Sequence, residues 1–146
     1  MEAVWDHLLT MGKRIYGIAV DDAHHFQGEF APERSNPGRG WVVVRADSLE
    51  AGAIMTALES GRFYASSGVG LDSILVSDDE MTIHITQKGN FKYTTEFVGK
   101  AGEVLKQTGS NPATYKLSGG ESYVRARIMD SMGYMAWVQP VFVQDQ

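Results

Sequence analysis

Apolar and polar residues follow two different rhythms along the chain, and the change between them falls near residue 68. Residues 2–12 carry apolar side chains at helical spacing and end at a glycine, which predicts an amphipathic helix. A short, nearly all-apolar run follows at residues 15–20. Such a run is typical of a strand buried on both faces, as in a parallel sheet. The first part of the chain therefore combines helical and strand patterns.

A long loop is predicted at residues 26–40, which contain two prolines and three glycines and no apolar period. Residues 41–44 then predict a strand. A helix is expected over 48–60, because its apolar residues have i, i+3, i+4, i+7 spacing and the Asp47 and Glu50 pair before it resembles a capping box. Residues 62–66 predict another strand that leads into a turn.

The second part of the chain predicts short antiparallel strands separated by turn residues, at 71–76, 81–87, 91–98, 113–118, 122–129 and 134–143. Two of them alternate clearly. In the first, Met81, Ile83 and Ile85 face one way and Thr82, His84 and Thr86 face the other. In the second, Val124, Ala126 and Ile128 lie opposite Tyr123, Arg125 and Arg127. This alternation predicts sheets with one buried and one solvated face, and hence a small β-sandwich in an α+β chain.

Composition narrows the classes of function. The 146 residues include 13 Lys and Arg against 18 Asp and Glu, a net charge of -5, which argues against charge-driven binding to nucleic acid or to anionic membranes. The sequence has no cysteine, so disulfides and Cys-ligated zinc are excluded. No apolar run is long enough to span a bilayer, and acidic residues occupy the place of a secretory signal, so we expect a cytoplasmic protein.

Asp22-Ala23-His24 is the first candidate site. Residues i and i+2 of a strand project to the same side, so a carboxylate and an imidazole just past the predicted strand 15–20 can point into one cavity. This donor pair suits zinc, manganese or iron. Asp21 and His25 are further candidates, either as ligands or as groups that orient the ligands. The alternative is a capping Asp21 or Asp22 followed by a surface histidine pair.

A second candidate site lies where the strand 62–66 passes into its loop. Arg62, Tyr64, Ser66 and Ser67 could bind an anionic group of a substrate, since arginine pairs well with phosphate. The alternative is that Phe63 packs in the core and that Arg62 is a surface charge after a helix end.

Several segments, in chain order, resemble the C-terminal region of metallohydrolases of the polymerase-and-histidinol-phosphatase (PHP) superfamily, in a branch whose barrel continues into a β-sandwich. The most specific are Asp21-Asp22-Ala23-His24 and Gly61-Arg62-Phe63-Tyr64-Ala65-Ser66-Ser67-Gly68. Further matches are Trp5-Asp6, Gly17–Val20, Gly40-Trp41-Val42, Val44-Arg45-Ala46, Tyr123-Val124-Arg125 and Ala136–Pro140.

The resemblance implies a short α/β remnant of a PHP-type barrel over residues 1–67 and an antiparallel, immunoglobulin-like β-sandwich over 68–146. It also implies that Asp22 and His24 belong to the last metal-binding motif of a metal-dependent hydrolase acting on small phosphate esters. The H-x-H motif and other ligands of such enzymes have no counterpart in the sequence. Because zinc usually needs three protein ligands, we expect the chain alone to bind metal weakly and to lack a complete active site.

A non-catalytic β-sandwich that binds a partner or a carbohydrate is the alternative function, with Tyr93, Tyr115 and Tyr134 as candidate contact residues. If the chain is a fragment of a PHP enzyme, strands 15–20 and 41–45 lack their neighbours from the barrel and would present unpaired edges. Such edges pair with other chains, so we expect a homo-oligomer, or association with a missing N-terminal PHP part, through residues 1–67.

Overall fold

A computed structural model describes residues 1–143, which form two sheets of antiparallel strands packed face to face, with two short helices. The helices are α1 (Glu2–Thr10) and α2 (Ala51–Glu59), and a 3-10 turn spans Lys100–Gly102. The strands are β1 (Trp41–Val44), β2 (Phe63–Ser66), β3 (Leu71–Val76), β4 (Glu80–Ile85), β5 (Tyr93–Val98), β6 (Val104–Thr108), β7 (Ala113–Lys116), β8 (Tyr123–Asp130) and β9 (Met135–Phe142). The predicted β-sandwich is confirmed.

The two sheets differ in width. The larger one has the strand order β1-β2-β9-β8-β5-β6, and the smaller one has the order β3-β4-β7. Strands β1 and β2 pair with each other in antiparallel fashion, and β2 continues the sheet onto β9. Strands from both sides of the expected boundary at residues 67 and 68 therefore share one sheet.

The predicted inward-facing residues form the core between the sheets. Met81, Ile83 and Ile85 on β4 are at most 2% exposed, and they pack in one cluster with fully buried residues of the facing sheet, Phe97, Val124, Ala126, Ile128 and Ala136. This arrangement confirms the alternation seen in the sequence. Strand β6 was missed because its sequence, Val-Leu-Lys-Gln-Thr, is mostly polar, as suits a strand at the edge of a sheet.

The outer face of β8 differs from the prediction, because helix α1 covers it. Tyr123 and Arg125 were expected in solvent, yet both are completely buried. The Tyr123 hydroxyl donates to the Asp6 carboxylate at 3.1 Å, and Arg125 donates two hydrogen bonds to the same carboxylate. Sequence alternation indicates two faces, but it does not indicate that a polar helix lies on one of them.

The prediction of a buried strand over 15–20 is wrong. These residues are extended but pair with no strand of the described chain, and Ile18 and Val20 are 66% and 69% exposed. The Trp5 indole donates to the Ile15 carbonyl at 3.2 Å, and a buried side chain of β9 holds the next residues. The Gln139 amide accepts from the Gly17 N–H at 2.8 Å and donates to the Gly17 carbonyl at 2.7 Å. The segment is therefore bound to the sheet through side-chain hydrogen bonds and not through backbone pairing with a strand.

Helix α2 is confirmed, but the predicted capping box is wrong. The helix begins after Glu50, whose side chain makes no capping hydrogen bond. Asp47 instead contacts the Arg62 guanidinium at 3.5 Å. Phe63 is 6% exposed and meets the Tyr16 ring edge-on, which confirms that it packs in the protein.

Candidate functional site

Asp21 closes the loop that carries the candidate metal ligands. Its carboxylate accepts hydrogen bonds from three successive backbone N–H groups, those of Gly38, Arg39 and Gly40, at 2.6 to 2.9 Å. The Arg39 guanidinium donates to the Asp21 carbonyl. The N–H donors of Gly40 and Gly38 lower the pKa of Asp21. Asp21 therefore ties the end of the extended segment to the start of β1.

Asp22 and His24 lie side by side. The distance from Asp22 Oδ1 to His24 Nε2 is 3.9 Å, and the two side chains are 86% and 65% exposed. Asp22 has a φ of +51°, in the left-handed region that asparagine and aspartate tolerate better than most residues. The proximity arises from this turn and not from the predicted strand geometry. The pair lies on the surface and not inside the expected cavity.

His25 faces the loop. Its Nδ1 atom accepts from the backbone N–H of Ser35 at 3.2 Å. The backbone N–H groups of His24 and His25 both donate to the Ser35 carbonyl, at 2.9 and 3.0 Å. These bonds hold the two histidines in place on the loop, with His24 and Asp22 turned toward each other.

The Asp22 and His24 ligand atoms are close enough to bind one metal ion together, and they lie farther apart than two tetrahedral ligands. Zinc binds nitrogen and oxygen ligands at about 2.1 Å, so two ligand atoms on one ion lie at most about 4.2 Å apart and about 3.4 Å apart at the tetrahedral angle. The observed 3.9 Å falls within this range. Among residues 1–143, no three His, Asp or Glu side chains gather in a way that could hold a metal ion.

The other four candidate residues divide into two pairs. Arg62 and Tyr64 line a cleft of about 720 Å³ between the sheets. Ser66 is the last residue of β2, and Ser67 begins the turn toward β3. The Ser66 hydroxyl, 1% exposed, donates to the Val69 carbonyl at 2.8 Å and accepts from the Gly68 N–H at 2.9 Å. Ser67 Oγ accepts from the Met135 N–H at 2.9 Å. The structure thus brings Arg62 and Tyr64 to the cleft and uses both serines in the turn.

Arg45 also lines this cleft and was not identified as a site residue from the sequence. It lies directly after β1, opposite Arg62 on the neighbouring strand. Its backbone N–H donates to the Arg62 carbonyl at 2.9 Å. The register between β1 and β2 is needed to see this pairing, and the local sequence contains no signal for it.

The proposed carbohydrate-contact tyrosines do not share one surface. Tyr93 is 9% exposed, and its hydroxyl bonds to the backbone of Thr86 and Lys88. Tyr115 stacks on Phe97, with ring centroids 5.5 Å apart, and donates to Glu121. Tyr134 is 48% exposed. Two of the three rings therefore serve packing.

Comparison of the chain with protein-family models, with curated protein sequences and with solved structures gives no match. In the described part of the chain, neither helix has the length and apolar character needed to cross a membrane. Residues 1–143 form an antiparallel β-sandwich with two short helices.

Proposed function

We propose that the chain is the C-terminal portion of a PHP-like metal-dependent hydrolase that acts on phosphate esters, and that Asp22 and His24 are two ligands of its divalent metal. The observation that carries this proposal is the placement of the Asp22 carboxylate and the His24 imidazole 3.9 Å apart, with both side chains accessible. A divalent metal in such an enzyme supplies Lewis acidity toward water and phosphate oxygens.

The loop geometry supports a ligand role for this pair. Asp22 adopts a backbone conformation that most residues avoid, and the Asp21 carboxylate anchors the adjacent backbone through three N–H groups. Backbone strain that is held in place by surrounding hydrogen bonds is common at functional sites. Neither the Asp22 nor the His24 side chain packs in the core, so both remain accessible to an external ligand.

The surroundings of the pair support completion of the site by another part of a larger assembly. Four large apolar side chains on the same stretch of chain are 66% to 71% exposed, namely Ile18, Val20, Phe26 and Phe30. Exposed apolar side chains concentrated in one region mark surfaces that contact other protein. On this proposal the segment covers the end of a PHP barrel, and that barrel contributes the remaining metal ligands and the phosphate-ester site.

Manganese titration of the ¹⁵N-labelled chain tests the assignment of the ligands. We expect paramagnetic broadening to be centred on residues 21–25, with weak affinity because only two ligands are present. Asp22→Asn and His24→Gln should each weaken this binding by about tenfold, as loss of one of two ligands predicts. His84→Gln is the matched control, because His84 lies on β4 in the other sheet.

Broadening centred elsewhere, or equal affinity in the parent and in both site variants, would contradict the assignment. The barrel part of the proposal has its own test in the genomic reading frame upstream of Met1. We expect in-frame sequence that encodes an H-x-H motif there, and a stop codon directly upstream would contradict the barrel part.

A further inference from the structure

A cleft opens where the wide sheet extends beyond the narrow one. The larger sheet has six strands and the smaller has three, and β3 is a free edge of the smaller sheet in the described structure. The cleft of about 720 Å³ lies between β3 and the strands β1, β2 and β9. All six residues of β3 line it. Its volume is in the range of sites that hold small organic ligands.

Two arginines occupy opposite backbone positions at this cleft, one directly after β1 and the other directly before β2. The ladder pairs Val43 with Tyr64 and Val44 with Phe63, so the next residues, Arg45 and Arg62, lie opposite each other. Both line the cleft. Like charges directly opposite each other destabilise a sheet, so an anion between the two guanidinium groups would remove an unfavourable interaction.

Both guanidinium groups keep hydrogen-bond donors for a ligand. Within residues 1–143, the Arg45 side chain makes no hydrogen bond and no ion pair. Arg62 donates from Nε to Ser60 at 3.3 Å and contacts Asp47 at 3.5 Å. The Asp47 carboxylate is 86% exposed, so this ion pair is weak. A guanidinium has five N–H donors and binds carboxylate or phosphate through two of them at once.

Apolar side chains make up much of the remaining lining, together with the polar residues Asp72, Ser73 and Gln139. Val43 and Tyr64 come from the wide sheet, and Ile74, Leu75 and Met81 come from the narrow one. Leu75 and Val43, each the penultimate residue of its strand, are 54% and 39% exposed. A ligand that places a charged group between the arginines can therefore bury an apolar chain along β3.

We propose that this cleft binds an amphipathic organic anion, with its carboxylate or phosphate group between Arg45 and Arg62 and its apolar chain along β3. The site is separate from the Asp22 and His24 pair and does not depend on the proposed metal. Asp21 holds Gly40 before β1, whereas Arg45 follows β1. Gly40 and Arg45 are five positions apart along extended chain, which corresponds to about 16 Å.

Octyl phosphate and octanoate, used below their micelle concentrations, test the ligand class, with 1-octanol and inorganic phosphate as probes that each lack one part. Binding is measured by amide shifts in the NMR spectrum of the full chain. We expect both amphiphiles to shift residues 61–64 and 71–76 and to bind about tenfold more tightly than either partial probe. The tighter of the two identifies the head group as phosphate or carboxylate.

Charge variants test the assigned groups. Arg45→Gln and Arg62→Gln should each weaken binding of the better amphiphile by about tenfold, as loss of a charge-assisted hydrogen bond predicts. Asp47→Asn should tighten it by about two- to fivefold, because it removes an internal anion that competes for Arg62. Lys92→Gln removes an equal charge on exposed chain before β5 and should change nothing.

Three results would overturn the proposal: 1-octanol that binds as tightly as the amphiphiles, shifts that lie outside the cleft, or parent affinity in the Arg45→Gln and Arg62→Gln variants. Thermal unfolding of each variant checks that it is folded. Failure of this proposal leaves the metal-ligand proposal intact, because the two use different residues and different probes.

Discussion

Arg125 on β8 and Asp6 on α1, 119 positions apart in the sequence, form a two-pronged ion pair in which Nε–Oδ1 and Nη2–Oδ2 are each 2.7 Å. The pair is buried, with Arg125 at 0% and Asp6 at 5% exposure. Glu2 adds a contact to Nη2 at 2.9 Å, and the guanidinium lies 4.9 Å from the Trp5 ring centroid. Burial lowers the pKa of Arg125, but the hydrogen bonds and the charge of Asp6 raise this pKa by a larger amount. The pKa of Arg125 is therefore raised overall.

Removal of one partner of this ion pair should destabilise the protein strongly. We expect Asp6→Ala to lower the free energy of unfolding by about 3–5 kcal/mol, because it removes the carboxylate that accepts two hydrogen bonds from the buried guanidinium and leaves Glu2 as its remaining acidic partner. Urea unfolding measures the change. The double variant Asp6→Ala/Arg125→Met should be more stable than Asp6→Ala alone, since no buried charge remains. The control is Asp47→Ala, which removes the exposed partner of Arg62 and should lower the free energy of unfolding by less than about 1 kcal/mol. Equal losses of stability in Asp6→Ala and Asp47→Ala would contradict this account.

Glu121 should make the stability depend on acid pH. Burial raises its pKa, but hydrogen bonds from the Ser118 hydroxyl and N–H and from the Tyr115 hydroxyl lower it to about 2, from 4.5. The folded-state pKa lies below the unfolded one, so the stabilisation is complete above about pH 4.5 and is lost as the pH falls toward 2.

Glu121→Gln should therefore reduce stability near pH 7 by up to about 3 kcal/mol and should reduce it much less near pH 2. Urea unfolding at several pH values measures this difference. Glu59→Gln, at an exposed position on α2, is the control and should leave the pH profile unchanged. A parallel loss at pH 7 and pH 2 after Glu121→Gln would contradict the linkage to its ionisation.

Gly61 combines two constraints that can be separated. Its φ of +70° disfavours side chains, and an added Cβ would lie 2.5 Å from the Tyr16 ring. Gly119 has a φ of +90° and nothing within 4 Å of an added Cβ. We expect Gly119→Ala to cost about 1 kcal/mol from backbone conformation alone and Gly61→Ala to cost more. In a Tyr16→Ala background, the effect of Gly61→Ala should fall to that of Gly119→Ala, and an unchanged effect would contradict the steric part.

Asp22→Gly should separate stability from metal binding. Glycine adopts a positive φ without strain, so this variant should be at least as stable as the parent chain, whereas Asp22→Ala should be about 1 kcal/mol less stable than Asp22→Gly. Both should lose the manganese broadening at residues 21–25. Thermal unfolding and the NMR titration measure the two effects, and a clear loss of stability in Asp22→Gly would show that the carboxylate has a structural role.

Strand β1 should mediate self-association, as the exposed strand edge predicts. It is the terminal strand of the six-stranded sheet, and Trp41 is 40% exposed. We expect a dimer or larger oligomer by light scattering, and Trp41→Lys should shift it toward monomer. Val104→Lys, on the opposite edge strand β6, is the control and should have no effect. A monomeric parent chain at high concentration would contradict this prediction.

The strands of the sandwich could be predicted because their period of two is a local property. Met81, Ile83 and Ile85 face the core as expected. Arg125 could not be placed in the same way, because its burial depends on a carboxylate from α1 that lies 119 positions away. The run at 15–20 has the composition of a buried strand, but its neighbours are side chains, among them Gln139 and Trp5, and not a strand.

The candidate sites show the same division. Asp22 and His24 could be chosen from residue type and spacing, and they do lie close together. The role of Asp21 could not be predicted, because its partners are backbone N–H groups at residues 38–40. Arg45 required the register of β1 against β2, which emerges only when the sheet has formed.

The hydrogen bonds of the Asp21 carboxylate close the base of the loop 26–34. The residues that precede the loop bond to those that follow it. Asp21 accepts from the N–H groups of residues 38–40, and the Ser35 carbonyl accepts from the N–H groups of His24 and His25. We therefore expect that residues can be inserted into or removed from this loop without displacing Asp22 or His24. The same stretch is a natural place to attach a tag or a fluorescent reporter next to the proposed ligands, since lengthening a surface loop costs little free energy.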